Sequence, residues 1–383
     1  MPAPELEDGA LGLALAGRGF RAALFGLGTL WRINDLGWLG KIDRIASTSG
    51  GSIAAACLGV RWNDLIFDST GVALNFRLQV ADPLRQFCAR QFDVRAFLAG
   101  VLNPYSSISQ QAASKFEREL FLLPGGRPAT LQDLPSSGEG PEIIIYTTSL
   151  NTGEEVKLSR RCLADRHLGG LMNPVIRLAL AVTASCGFPS ILSPVRVWTD
   201  PSDWITRRGS STALRRCVTL SGVSYNTGIN DMVVNVFREE TWKPCATLLV
   251  CDADAGIGIG RIPSPWKLRS WTYQTIHVLK LMRKRTAEIR REQVVSKFVS
   301  GSTRGSLWGI GTPIDDFELD DAMTRNNTTT YALKEYSTRF RPFSLEQQDK
   351  LINWGYALAD AAIRSRLAPG FSKGVWPYPA YAL

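Results

Sequence analysis

Ile42-Asp43-Arg44-Ile45-Ala46-Ser47-Thr48-Ser49-Gly50-Gly51-Ser52-Ile53-Ala54-Ala55-Ala56 is the stretch whose reading decides the fold. Its first half reads as a buried strand and its second half as the opening of a helix, with Ser49 at the sharp turn between them. A turn this tight is strained and brings the helix close against the strand, so it needs small residues on both sides of the apex. Ser47, Gly50 and Gly51 meet that need. This is how a hydroxyl nucleophile is presented, and the N-terminus of the following helix offers backbone N–H groups, that of Gly50 among them, to a developing oxyanion. The same residues also suit an ordinary glycine-rich turn from strand to helix.

The segment upstream bears on that choice. Leu11-Gly12-Leu13-Ala14-Leu15-Ala16 reads as a first buried strand, and Gly17-Arg18-Gly19-Phe20-Arg21 opens a helix that runs on through Gly28. Two small-residue turns therefore lie about one βαβ unit apart, and in a parallel sheet both reach the carboxyl ends of their strands, where ligands bind. One can carry the nucleophile while Gly17, Arg18 and Gly19 supply oxyanion donors. A dinucleotide reading of the first turn is weak, because the third glycine is wrongly spaced and no acidic residue closes a second strand at the expected distance.

These residues resemble the bacterial patatin-like phospholipases. The likeness rests on Leu13-Ala14-Leu15, Gly19-Phe20-Arg21, Ile42-Asp43-Arg44-Ile45, Ser49-Gly50-Gly51-Ser52-Ile53-Ala54-Ala55, Arg61-Trp62-Asn63-Asp64, Phe188-Pro189, Trp308-Gly309-Ile310 and Leu351-Ile352-Asn353-Trp354-Gly355-Tyr356. It implies a three-layer α/β/α fold with a mostly parallel central sheet. It also implies a lipid acyl hydrolase without cofactor or metal, in which Ser49 attacks a phospholipid or lysophospholipid ester with the help of an aspartate from an Asp-Gly-Gly motif.

Two of the family's chemical positions depart from its pattern. Arg18 stands where the oxyanion loop has its middle glycine, which puts the backbone geometry there in question. The ungapped match to the Asp-Gly-Gly segment is Leu220-Ser221-Gly222-Val223-Ser224-Tyr225-Asn226-Thr227-Gly228, which puts Leu220 at the aspartate position; a one-residue gap puts Ser221 there instead. Neither side chain is a general base, and losing one typically costs ~10²–10⁴ in rate. A substitute carboxylate is conceivable where the strand Thr247-Leu248-Leu249-Val250-Cys251 ends in Asp252-Ala253-Asp254, although an aspartate at a strand end more often caps the next turn. Gly256, Gly258 and Gly260 follow, but Pro263 and Pro265 stop the helix that a phosphate loop would need.

The rest of the chain fits this frame. A length of 383 residues with 45% hydrophobic content is ample for one large core. Residues 1–9 read as a tail, 10–260 as the α/β core and 261–383 as a helical elaboration packed on it. Glu142 to Ser149 reads as a buried strand, Leu178 to Ser185 as a helix, and residues 124–141 and 199–216 as surface loops. Seven cysteines without a Cys-x-x-Cys pair suit buried thiols in a reducing, cytoplasmic setting. His167 and His277 sit in no triad or metal spacing. Arg18 and Arg21 interrupt the apolar stretch from Leu11 to Trp31, so it reads as core and not as a targeting segment or a membrane span.

Leu268, Trp271, Thr275, Val278, Leu279, Met282 and Ile289 recur at helical spacing and are expected to pack on the core. The opposite face carries Lys267, Arg269, Lys280, Arg283, Lys284, Arg285, Arg290 and Arg291, much of a net charge of +9. That face reads either as solvated or as resting on an anionic membrane surface. Nucleic acid is not expected, because no recognition motif accompanies the charge. Two classes of function remain at this point. One is an active lipid hydrolase using Ser49 with Asp252 as a substitute base; the other is a degenerate homologue that binds lipid, or pairs with itself or with an active relative.

Overall fold

The computed structural model describes residues 10–90, 107–187, 193–205, 211–222, 245–254 and 268–383. Its strands are β1 (Ala10–Ala16), β2 (Ile42–Thr48), β3 (Glu142–Ser149), β4 (Glu155–Leu158), β5 (Cys162–Asp165), β6 (Gly169–Met172), β7 (Val195–Trp198), β8 (Trp204–Ile205), β9 (Cys217–Ser221), β10 (Cys245–Asp252) and β11 (Arg304–Gly309). The helices of eight residues or more are α1 (Gly19–Asp35), α2 (Gly50–Val60), α3 (Asp82–Ala89), α4 (Ile108–Leu120), α5 (Leu178–Cys186), α6 (Leu268–Val299) and α7 (Leu345–Arg366).

All of the strands join one mixed sheet, in the order β11-β10-β1-β2-β3-β4-β5-β6-β8, with β9 branching from β3 and pairing β7. The five central strands, β11 through β3, run parallel. Beyond β3 the pairing is antiparallel. A parallel strand covered on both faces has no polar side to show, which is why β1 and β3 read as nearly continuous apolar runs.

The two faces of the sheet lie under different helices. Leu11, Leu13, Leu15, Ile45, Ile143 and Ile145 share one core cluster with α1, α2, α5 and α7. Ala14, Ala46, Ile144, Tyr146, Leu248 and Val250 pack on the other face beneath Val294 and Phe298 of α6. The result is helix, sheet, helix, the three-layer α/β/α arrangement that the resemblance implies. α1 and α7 approach almost backbone to backbone, since a Cβ on Gly28 would lie 2.0 Å from the Ile352 carbonyl and one on Gly355 2.0 Å from that of Phe25. Among the described residues no helix is long and apolar enough to cross a membrane.

Three expectations differ from what is found. The segment 261–383, expected to be helical and laid upon the core, supplies β11 to the central sheet, in register with β10 from Thr247↔Arg304 to Asp252↔Gly309. The stretch 199–216, expected as a loop, contributes β8 and a short helix over Thr212–Arg216. The apolar stripe of α6 does not face the core: Val278, Met282 and Ile289 are exposed. Ala287, Arg291, Val294 and Phe298, at spacings of four, three and four, form the face turned to the protein, and the stripe lies on the far side. The tail 1–9, Phe188-Pro189, residues 223–228, the glycines and prolines of 256–265, and the side chains of Leu268, Trp271, Thr275 and Leu279 lie outside the described residues.

Candidate active site

β2 ends at Thr48 and α2 begins at Gly50, which leaves Ser49 alone at the apex with φ 51° and ψ −119°. Only Ser49, Asn173 and Glu318 among the described non-glycine residues have positive φ. Such a conformation costs of order 1–3 kcal/mol and persists only where the surroundings over-determine it. The surroundings here are tight. A Cβ on Gly50 would lie 2.2 Å from the Gly19 carbonyl, and one on Gly51 would lie 2.1 Å from that of Leu15, so only glycine lets α2 start this close to β1 and α1.

Ser185, at the end of α5, fixes the apex. Its hydroxyl accepts the Ser49 amide at 2.8 Å and donates to the Tyr146 carbonyl at 2.6 Å. Because that proton is committed to Tyr146, the 3.1 Å contact with Ser52 runs from the Ser52 hydroxyl to Ser185. The Cys186 thiol, beside the Ser49 side chain, is pushed up to about 12 by burial. A neutral thiol does not remove a proton from a serine hydroxyl, so Cys186 is not a base for Ser49.

In the Gly17-Arg18-Gly19 loop, expected to supply oxyanion donors, the unusual backbone belongs to the two glycines, Gly17 at φ 126° and Gly19 at φ 65°. Arg18 between them is extended, at φ −103° and ψ 142°, a conformation open to any L-residue. The arginine in place of the middle glycine therefore leaves the loop unstrained, contrary to expectation. Its side chain turns to Asp254, with a guanidinium nitrogen 3.4 Å from Oδ1. Among the described residues no protein acceptor takes up the amides of Arg18 and Gly19. The Gly50 amide, expected as an oxyanion donor, instead donates to the Gly17 carbonyl at 2.8 Å and ties the elbow to the loop. Arg21 reinforces the same loop, donating to the Ala253 carbonyl at 2.9 Å and to those of Tyr336 and Lys334. Burial draws its guanidinium down to about 10, still protonated at neutral pH.

No carboxylate stands on β9, where the base is expected. Leu220 is wholly buried in the main core cluster, opposite Ser149 on β3 and Val195 on β7. The Ser221 hydroxyl donates to the Gly187 carbonyl, one residue beyond Cys186. The Gly222 amide reaches that carbonyl at 2.8 Å, and a Cβ on Gly222 would lie 2.2 Å from the Ser185 carbonyl. The end of β9 thus packs directly against the Ser185-Cys186-Gly187 corner that holds Ser49.

Asp252 closes β10 with both carboxylate oxygens engaged. Oδ2 accepts from Arg291 Nε at 2.7 Å and pairs with the same guanidinium at 2.6 Å; Oδ1 caps the next turn by accepting the Asp254 amide at 2.9 Å. Arg291 also donates to the Asp254 carbonyl at 2.6 Å. Neither aspartate is hydrogen-bonded to Ser49. His167 lies on the surface beside Glu154, and no metal-binding cluster occurs among the described residues. The sequence offered little sign of Ser185, Cys186 or Arg291 as site residues; the one hint was the run of small residues, Thr183-Ala184-Ser185-Cys186-Gly187, at the end of the helix expected at 178–185.

The profile of the patatin-like phospholipases matches residues 13–205, half of the chain, and takes in the oxyanion loop, the elbow and Ser185. The chain belongs to that family. As a patatin-like protein it carries the family's lipid-hydrolase scaffold. Human GIVD cytosolic phospholipase A2 aligns over 92% of this chain and 61% of its own at 10% identity, with a TM-score of 0.48. VipD from Legionella pneumophila aligns over 91% and 65% at 13% identity, TM-score 0.33. Full-length ExoU, in complex with SpcU from the type III secretion system of Pseudomonas aeruginosa, aligns over 74% and 52% at 14% identity, TM-score 0.27. The chain spans about six tenths of the human phospholipase chain. No curated protein matches the sequence.

Proposed function

We propose that this patatin-like protein binds a phospholipid or lysophospholipid acyl ester at Ser49 and hydrolyses it weakly or not at all. The observation that supports the reading is the setting of Ser49: a buried, neutral thiol beside it, and no carboxylate hydrogen-bonded to it among the described residues. Leu220 and Ser221 hold the place of the dyad aspartate, and Asp252 is occupied by Arg291 on one oxygen and by the Asp254 amide on the other. With both oxygens held in this way, and neither hydrogen-bonded to Ser49, Asp252 is not placed to act as a substitute base. The protein then acts as a lipid-binding partner for itself or for an active relative. Its seven free thiols suit a reducing, cytoplasmic compartment.

The second reading, residual turnover, draws on the strained elbow and on the Arg18 and Gly19 amides that no described acceptor takes up. Ester hydrolysis by purified wild type against Ser49→Ala separates the two. The first reading expects equal rates, and expects Ser221→Asp to raise the rate above both, because the base is missing while the oxyanion loop is unstrained. Hydrolysis that depends on Ser49 in the wild type, and falls in Asp252→Asn, establishes the second.

A further inference from the structure

α6 presents a surface that the Ser49 site does not use. Val294 is 3% exposed on the face turned to the sheet, whereas Val278, Met282 and Ile289 are 52%, 64% and 43% exposed. At 3.6 residues per turn, positions 278, 282, 285 and 289 fall within about 60° of one another on the helix. Leu281 flanks the same stripe and is also exposed. Each of these apolar side chains leaves about half of its surface in water, so the stripe calls for another occupant.

Charge identifies that occupant. The 32 residues of α6 carry eight basic and two acidic side chains, and so account for +6 of the chain's +9. Arg285 lies within the stripe and Lys284 beside it; both lean on a single carboxylate, Glu288, at 3.6 and 3.7 Å, which leaves the cluster cationic. An apolar stripe flanked by lysine and arginine is the pattern of a helix lying in the plane of an anionic lipid interface. A purely apolar protein partner would have to bury these cations without a counter-charge.

We propose that α6 docks along an anionic lipid surface, with Val278, Met282 and Ile289 entering the acyl boundary and Lys284, Arg285 and Arg290 meeting lipid phosphates. The same helix holds the site in place, because Arg291 grips Asp252 and the Asp254 carbonyl at the end of β10, beside the Gly17 loop. A docked α6 therefore ties the lipid surface to the end of β10 beside the Gly17 loop.

Co-sedimentation of the full chain with vesicles tests this without reference to turnover, so its outcome is independent of whether Ser49 is active. Binding is expected to phosphatidylcholine vesicles containing phosphatidylglycerol, and not to phosphatidylcholine alone. Lys284→Gln with Arg285→Gln should weaken it by roughly 25-fold, about fivefold for each cation near the surface. Met282→Gln with Ile289→Gln should weaken it at least about fivefold, while Arg196→Gln on exposed β7 should leave it unchanged; circular dichroism melting confirms that each variant is folded. Equal binding to neutral vesicles, or undiminished binding in both double variants, overturns the proposal. So does self-association that Met282→Gln with Ile289→Gln abolishes in a protein that binds no vesicles, since the face then belongs to a second copy of the chain.

Discussion

Replacing Ser49 by glycine should make the protein more stable than replacing it by alanine, although both changes delete the same hydroxyl and the same contact with Cys186. The two variants differ only in a Cβ, and Ser49 holds that Cβ at φ 51° and ψ −119°. Strain of this kind is worth about 1–3 kcal/mol. Glycine releases it but gives the unfolded chain additional freedom, which takes back about 0.5–1 kcal/mol. The difference left in favour of Ser49→Gly is about 1 kcal/mol. The Ser49 amide still donates to Ser185 in both variants, so no hydrogen bond confounds the comparison. Parallel urea denaturation with a common m-value reads this difference directly. A glycine variant no more stable than the alanine variant would refute the claim that the elbow stores strain.

Three further outcomes follow from the same contacts. Ser185→Ala removes the acceptor of both the Ser49 amide and the Ser52 hydroxyl, and should cost about 2–4 kcal/mol against about 1 for Ser52→Ala in denaturant titrations; equal costs would mean that Ser185 does not hold the elbow. Gly355→Ala should cost at least about 2 kcal/mol, because the new Cβ meets the Phe25 carbonyl of a neighbouring helix that has no room to give, and a neutral result in the same titration would contradict the close α1–α7 contact. Burial holds the Glu142 carboxyl above the usual glutamate range despite Arg161, Arg44 and Lys157 nearby, so its contribution is full at acid pH and lost as pH rises through the raised value. Glu142→Gln should therefore match the wild type in acid and exceed it in stability at neutral pH, and the opposite trend in paired denaturation curves would reverse the sign of this assignment.

Much of the turn around Ser49 was legible in the residue order, because glycines at strand ends leave few other arrangements. Ser47-Thr48-Ser49-Gly50-Gly51 reads as an elbow, and Gly17-Arg18-Gly19 as the loop that faces it. What escaped the sequence depends on direction. The Gly50 amide is turned to Gly17, which residue type alone does not reveal. Arg18 is tolerated because its φ is negative and the flanking glycines take the unusual angles. Hydrophobic spacing on α6 pointed to the wrong face, since the side turned to the protein carries the small Ala287 and the charged Arg291 beside Val294 and Phe298, while Val278, Met282 and Ile289 are exposed. β11 was missed because the surrounding region is rich in helical pattern, and its place beside β10 is set by long-range pairing.

The claim at the centre of this account is that Ser49 is positioned but not activated. Reaction with a fluorophosphonate probe, followed by intact mass, tests it most directly, because the probe reports the nucleophilicity of the serine without requiring the natural lipid. The account predicts slow labelling or none in the wild type, indistinguishable from Ser49→Ala, and faster labelling once Ser221→Asp supplies a base. Rapid stoichiometric labelling of wild-type Ser49 would contradict it and point to a base that Asp252 or another carboxylate provides.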